Sequence, residues 1–318
     1  MVAGCVGLRR SLRGCHRSGT NPWKQRTLTA EERSVNRRSS FVVFGLWGTA
    51  LSFTIGSDQL PEATSEKPIQ VIAHRGASAD FPENTRSSTL AAVASGATVI
   101  EIDLRTTRDG HLVVLHDALL DRTTTGRGPV GEKTLAEIRQ FDAGSWFDPR
   151  FRDQKVIALE EVYALCRGKL NVLLDLKETG VDYDRNVAAR VRAGGDARRT
   201  IIGVRSVAQA KRFRELLPQS RQLGLIARPA EIEAFAGAGV AMIRLWPRWL
   251  EDTGLIERVR KAGCGLHLNG KLGTTEEVVP LLRYRPDSLS SDDPAQLVKT
   301  LKQLGRKVRQ PGRAPGRR

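Results

Sequence analysis

The chain has 318 residues and a net charge of +16, long enough for one large core with tails. The charge sits at the ends: residues 1–40 hold nine Lys/Arg against Glu31 and Glu32, residues 302–318 hold seven with no acid, and these two segments of net +7 leave +2 for residues 41–301. A near-neutral folded part speaks against a nucleic-acid partner, and Cys5, Cys15, Cys166 and Cys264, with no C-x-x-C pair or regular spacing, speak against a disulfide framework or a zinc site.

In chain order, residues 1–40 read as a basic leader. Residues 41–56, FVVFGLWGTALSFTIG, carry no charge and follow Arg37 and Arg38. A bilayer core takes about 20 apolar residues, so an export-signal core and a tight anchor both fit. The basic flank predicts a cytoplasmic N-terminus and an extracytoplasmic domain, exported or held at the membrane by residues 41–56. Residues 57–68 are a polar linker, residues 69–301 the folded domain, and residues 302–318 a basic tail.

From Val71 onward short apolar runs alternate with helical patterns, the signal of a parallel sheet with crossover helices. The runs are VIAH (71–74), TVIEIDL (98–104), NVLLDL (171–176), TIIGV (200–204), QLGLIA (222–227), AMIRL (241–245), GLHL (265–268) and DSLSS (287–291). Amphipathic stretches such as Ser87–Ala94, Val207–Leu217, Ala230–Ala238 and Leu255–Ala262 lie between them. Eight strands with no polar edge predict a closed TIM-type (β/α)8 barrel.

A ninth run, Leu112–His116, follows the second strand too closely for a parallel crossover and must return antiparallel. A two-residue turn at Asp109–Gly110 pairs positions that total 219 and sets His116 opposite Asp103. Residues 117–170 then form a small inserted subdomain over the mouth, with Trp146, Phe147, Pro149 and Phe151 in its second half.

The chemistry-bearing residues close these strands: His74-Arg75-Gly76 the first, Glu101-x-Asp103 the second, His116-Asp117 the hairpin, and Asp175-x-Lys177 the third parallel strand. In a barrel all these ends meet at one mouth. Glu101 and Asp103, two apart, face the same side. Three carboxylates with no cysteine, Glu101, Asp103 and Asp175, suit a hard divalent cation, Ca²⁺ or Mg²⁺; the competing reading is a salt-bridge cluster with Arg75, Arg105 and Lys177. Two histidines supply an acid and a base, while Arg75 and Lys177 offer fixed positive charge to a phosphodiester. His16, His111 and His267 read as structural.

AHRGAS (73–78), PENT (82–85), EIDLRTTRDGHLVVLHD (101–117), DRTTTGRG (121–128), WFDPRF (146–151) and LDLK (174–177) together resemble, in order and spacing, the motifs of glycerophosphodiester phosphodiesterases over about residues 69–300. The resemblance implies a TIM-type barrel, a bound divalent cation, and hydrolysis of glycerophosphodiesters to glycerol 3-phosphate and an alcohol. It implies His74 and His116 as the catalytic pair, Arg75 as a phosphate contact, and Glu101 and Asp103 as metal ligands; Lys177 and Trp146 join as candidate substrate contacts and Asp175 as a candidate third ligand. Asp175 stands where the family usually has Glu, and Leu266-His267-Leu268-Asn269 where a Trp-Thr-Val-Asn run is typical. The alternatives are a phospholipase-type activity on intact lipid and a barrel that binds phosphodiesters without turning them over.

Overall fold

The structure, a computed structural model, describes residues 67–310. The leader, the apolar run 41–56, nearly all of the linker and the last residues of the basic tail lie outside them. Among the described residues no helix is long and apolar enough to cross a membrane.

Among the described residues nine strands form: β1 (Gln70–His74), β2 (Val99–Thr106), β3 (Leu112–Val114), β4 (Asn171–Leu176), β5 (Thr200–Val204), β6 (Arg221–Gly224), β7 (Met242–Arg244), β8 (Gly265–Asn269) and β9 (Ser288–Ser291). All but β3 pair in parallel, β9 and β2 both pair with β1, and so the eight parallel strands close into a barrel. Eight of the nine α-helices ring it: α1 (Arg86–Ala94), α3 (Leu159–Cys166), α4 (Val181–Gly194), α5 (Val207–Leu216), α6 (Ile232–Gly237), α7 (Thr253–Lys261), α8 (Thr275–Leu282) and α9 (Pro294–Gln303).

Period-2 alternation sorts each strand's residues. In β2, Ile100, Ile102 and Leu104 face outward into the core shared with the helices. Val99 faces inward with Ile72, Leu173, Ile201, Leu223, Leu225 and Met242, which plug the lower barrel as a separate apolar cluster. Glu101 and Asp103 continue the inward row, so polar groups begin where the apolar plug ends.

The hairpin corrects one sequence expectation. The ladder joins Leu104 to Val114, Arg105 to Val113 and Thr106 to Leu112, one residue out of the expected register. The turn holds three residues rather than two: Gly110 N donates to Thr107 O at 2.9 Å and Thr107 N donates to His111 O at 2.9 Å. Gly110, at φ 78°, is the trailing left-handed residue that such a loop needs. A one-residue slip exchanges faces, so His116 does not oppose Asp103. Instead Leu115 N donates to Asp103 O at 3.0 Å, and Arg105 fixes the His116 carbonyl through Nε at 3.0 Å and Nη2 at 2.8 Å.

The inserted segment is also shorter than the run 117–170. α3 contributes Leu159, Val162, Tyr163 and Cys166 to the main core, which makes it the crossover helix between β2 and β4. The insertion proper carries the short α2 (Leu135–Ile138) and a small core of its own, with Leu120, Val130, Ile138, Ala143 and Val156 packed on Val113 and Leu115.

Candidate active site

β1 delivers His74 and then turns sharply. Arg75 and Gly76 are both left-handed, φ 55° and 85°. A Cβ on Gly76 would stand 2.6 Å from Ser88 Oγ, so only glycine lets α1 approach here. The turn points Arg75 N at Glu101 Oε2, 2.9 Å away; a non-glycine residue held in this region at a site of charged groups is strain retained for position. Of the run 82–85, Thr85 caps α1 reciprocally with Ser88, and Asn84 donates from Nδ2 to Asp103 Oδ2 at 2.7 Å.

Asp103 and Asp175 are direct neighbours across β2 and β4, and with Glu101 they offer carboxylate oxygens all within 4.8 Å of one another. Burial, and then the charge of Asp103, push Glu101 up to about 7. Burial raises Asp103 as well, but Lys177 and Arg75 beside it outweigh that and hold it below the usual carboxylate range. Lys177 Nζ bridges Asp103 Oδ1 at 2.8 Å and Asp175 Oδ2 at 2.6 Å. Arg205, just after β5, clasps Asp175 from Nη2 at 2.6 and 2.9 Å. Glu101 forms no ion pair with any described residue.

Each histidine has its own carboxylate. His74 Nδ1 lies 2.6 Å from Asp292 Oδ1; burial disfavours its charge, yet the Asp292 bond and the charges of Glu101 and Asp292 raise its pKa overall. His116 Nδ1 lies 2.7 Å from Asp117 Oδ1. Arg122 takes the other oxygen of Asp117 through Nε at 2.6 Å, and its bond is the chief reason that Asp117 falls to about 2. With Nδ1 engaged, each ring keeps Nε2 for other chemistry.

Arg122 also bonds Glu83 at 2.9 and 2.8 Å, Glu83 bonds Arg75 at 3.1 Å, and Arg75 Nε lies 3.4 Å from Asp103. Charged contacts thus run unbroken from His116 through Asp117, Arg122, Glu83, Arg75, Asp103, Lys177 and Asp175 to Arg205. This chain ties the hairpin to the barrel mouth where the expected strand register does not.

His74, Arg75, Glu101, Asp103, Asp175 and Lys177 therefore meet at the mouth, and His116 joins through the charged chain. Trp146 stands on an aromatic rim: its indole N–H donates to Ala143 O at 3.0 Å, its ring meets Phe147 edge-on at 5.6 Å, and Phe147 leads through Phe151 to Phe81. Sequence reasoning missed Asp292, Asp117, Asn84, Glu83, Arg122, Arg205 and Arg244 as site residues. For Glu83, Asn84, Asp117 and Arg122 the signal was their place inside quoted motifs, and for Arg205, Arg244 and Asp292 it was their place at strand ends.

Comparison with known proteins accords with this geometry. Residues 74–296 match the model of the Glycerophosphoryl diester phosphodiesterase family. A glycerophosphodiester phosphodiesterase from Caldanaerobacter subterraneus subsp. tengcongensis is 30% identical over 241 residues, spanning 74% of this chain and 98% of that protein. Some other relatives are matched over as little as 28% of their length. The crystal structure of glycerophosphodiester phosphodiesterase from Agrobacterium tumefaciens superposes with a TM-score of 0.65 at 31% identity, covering 73% of this chain and 99% of that one. An Oleispira antarctica phosphodiesterase, solved with the product sn-glycerol-3-phosphate, shares the fold at a TM-score of 0.67 and 24% identity, over 73% of this chain and 96% of that one. The chain belongs to the Glycerophosphoryl diester phosphodiesterase family and is a phosphoric diester hydrolase.

Proposed function

We propose that the protein hydrolyses glycerophosphodiesters to glycerol 3-phosphate and an alcohol, with His74 and His116 as the proton-transfer pair and a divalent cation, Mg²⁺ or Ca²⁺, held by Glu101, Asp103 and Asp175. The observation that carries this reading is the pair of histidines, each braced at Nδ1 by a carboxylate, joined to the same charged mouth that holds Arg75 and Lys177.

One imidazole takes the proton of the attacking oxygen, of water or of the glycerol 2-hydroxyl, as its bond to phosphorus forms; the other gives a proton to the departing alcohol oxygen as the old P–O bond breaks. Where the 2-hydroxyl attacks, water then opens the cyclic phosphate to glycerol 3-phosphate with the two proton-transfer roles reversed. Arg75 and Lys177 hold the anion by a forked and a point contact. The donor set fits a hard cation, being all oxygen, with Glu101 lacking any cationic partner among the described residues. When bound, the cation adds positive charge next to a phosphoryl oxygen.

The test is release of glycerol 3-phosphate by the full chain from several glycerophosphodiesters and, in parallel, from intact phospholipid. Release from the deacylated diesters is expected. Turnover of intact lipid alone would replace the reading by the phospholipase alternative, and binding without turnover would replace it by the non-catalytic one.

Asp175 bears on the metal separately. Both its oxygens are turned to Lys177 and Arg205, and it is one methylene, at most about 1.5 Å, shorter than Glu. Asp175→Glu is expected to tighten Mg²⁺ and Ca²⁺ binding roughly tenfold, the scale on which ligand surroundings act. Calorimetric titration decides; unchanged or weaker affinity would mean that Asp175 already coordinates directly or is no ligand.

A further inference from the structure

Four cationic side chains surround the mouth, and three of them are committed to carboxylates: Arg75 to Glu83 and Asp103, Lys177 to Asp103 and Asp175, and Arg205 to Asp175. Arg244, the last residue of β7, is different. It is half-buried, its guanidinium stacks on the Trp246 ring at 4.1 Å, and that guanidinium makes no ion pair or hydrogen bond with any described residue. Its five donors have no protein acceptor and remain open to an incoming anion.

The strand order puts β7 across the barrel from β2, so Arg244 faces Glu101 rather than adjoining it. Between them, above the apolar plug, lies a cavity of about 20 Å³ lined by His74, Glu101, Asp175, Arg244, His267 and Ser290, room for one water-sized group. Two of these residues are nearly inaccessible and under-used. Ser290 is 3% exposed and its Oγ has no hydrogen-bond partner. His267 is 2% exposed, binds Ser288 Oγ at Nδ1 over 2.9 Å, and has no described partner at Nε2. Burial, and then the charge of Arg244, hold His267 down to about 3, so the ring is neutral and carries one N–H, on Nε2 where Ser288 Oγ gives its proton to Nδ1 and on Nδ1 where it does not. A guanidinium, an imidazole nitrogen and a hydroxyl converge, none of them with a hydrogen-bond partner among the described residues.

We propose that Arg244, His267 and Ser290 form an oxyanion subsite on the floor of the mouth, which takes a phosphoryl oxygen of the bound phosphodiester from the side opposite Arg75. This rests on the phosphodiesterase reading and adds to it a far wall: the phosphoryl group is held between Arg75 and Lys177 on one side and Arg244 on the other. The subsite serves the phosphoryl group, which all substrates share, and not the variable alcohol.

The test is calorimetric binding of glycerol 3-phosphate and of inorganic phosphate to the full chain with Mg²⁺ present, for wild type, Arg244→Met and Arg244→Lys, together with kcat/KM on diesters of neutral and of acidic alcohols. Arg244→Met is expected to weaken both ligands by about 10-fold to 100-fold, the scale of a hydrogen bond to a charged group, to lower kcat/KM alike for every alcohol, and to leave Tm unchanged or raised because an unpaired charge is removed. Arg244→Lys should recover part of the affinity. Unchanged binding in Arg244→Met overturns the subsite. So does a loss confined to acidic alcohols, or a lowered Tm with intact affinity. Wild type that binds inorganic phosphate through Arg244 but neither binds nor releases glycerol 3-phosphate would leave the subsite standing and sink the substrate reading instead.

Discussion

Replacing either His74 or His116 with Ala is expected to slow turnover by roughly 10² to 10⁴, the usual loss for one proton-transfer partner, without unfolding the barrel. Both rings sit at the rim, with side chains 22% and 34% exposed, and neither belongs to an apolar cluster, so truncation opens no core cavity. Removing both should cost less than the product of the single losses, because an acid and a base that act in one displacement fail together. Rates at saturating substrate with Tm as the folding control check this. Near wild-type turnover in either variant would remove that histidine from the mechanism. Behind the rings, Asp292 meets His74 and Asp117 meets His116 at Nδ1, Asp117 itself being clamped by Arg122.

What could be read in advance follows from the range of each interaction. Strand positions depend on local hydrophobic runs, and all nine runs proposed from the sequence are strands in the structure. The carboxylate cluster was legible because Glu101 and Asp103 share a face by period alone and Asp175 ends the strand next in line. The hairpin register was not, since the choice between a two-residue and a three-residue turn hangs on which residue before His111 turns left-handed, and Asp109–Gly110 suits both. The inserted run looked longer than it is because α3, a short helix of eight residues, hides behind polar turns until its contacts with the main core are seen. Asp292 lies 218 residues from His74, and Arg205 and Arg244 reach the mouth from β5 and β7; only barrel closure brings these together. His267 read as a structural residue, and its hydrogen bond to Ser288 agrees, but the face that remains open looks into the site.

Exhaustive removal of divalent cations is expected to silence the enzyme, and the reason lies in how the carboxylates are partnered. Asp103 and Asp175 have Lys177, Arg75 and Arg205 to balance them, whereas Glu101, buried beside both, has no cation of its own and holds its proton up to about 7. A bound cation must displace that proton, so apparent metal affinity should rise with pH: below about pH 7 each unit of acidity costs about tenfold, one competing proton per ion, and above it the dependence flattens. The sign is fixed by the direction of the Glu101 shift, because a carboxylate of ordinary pKa would place the bend two to three units lower. Titration with Mg²⁺ and Ca²⁺ between about pH 5.5 and 8.5 reads the bend, and Glu101→Gln should abolish both the bend and most of the binding. Full turnover after chelation, with no metal found by elemental analysis, would break the link between this cluster and catalysis. An affinity that does not change with pH would show that Glu101 is not the residue the cation must deprotonate.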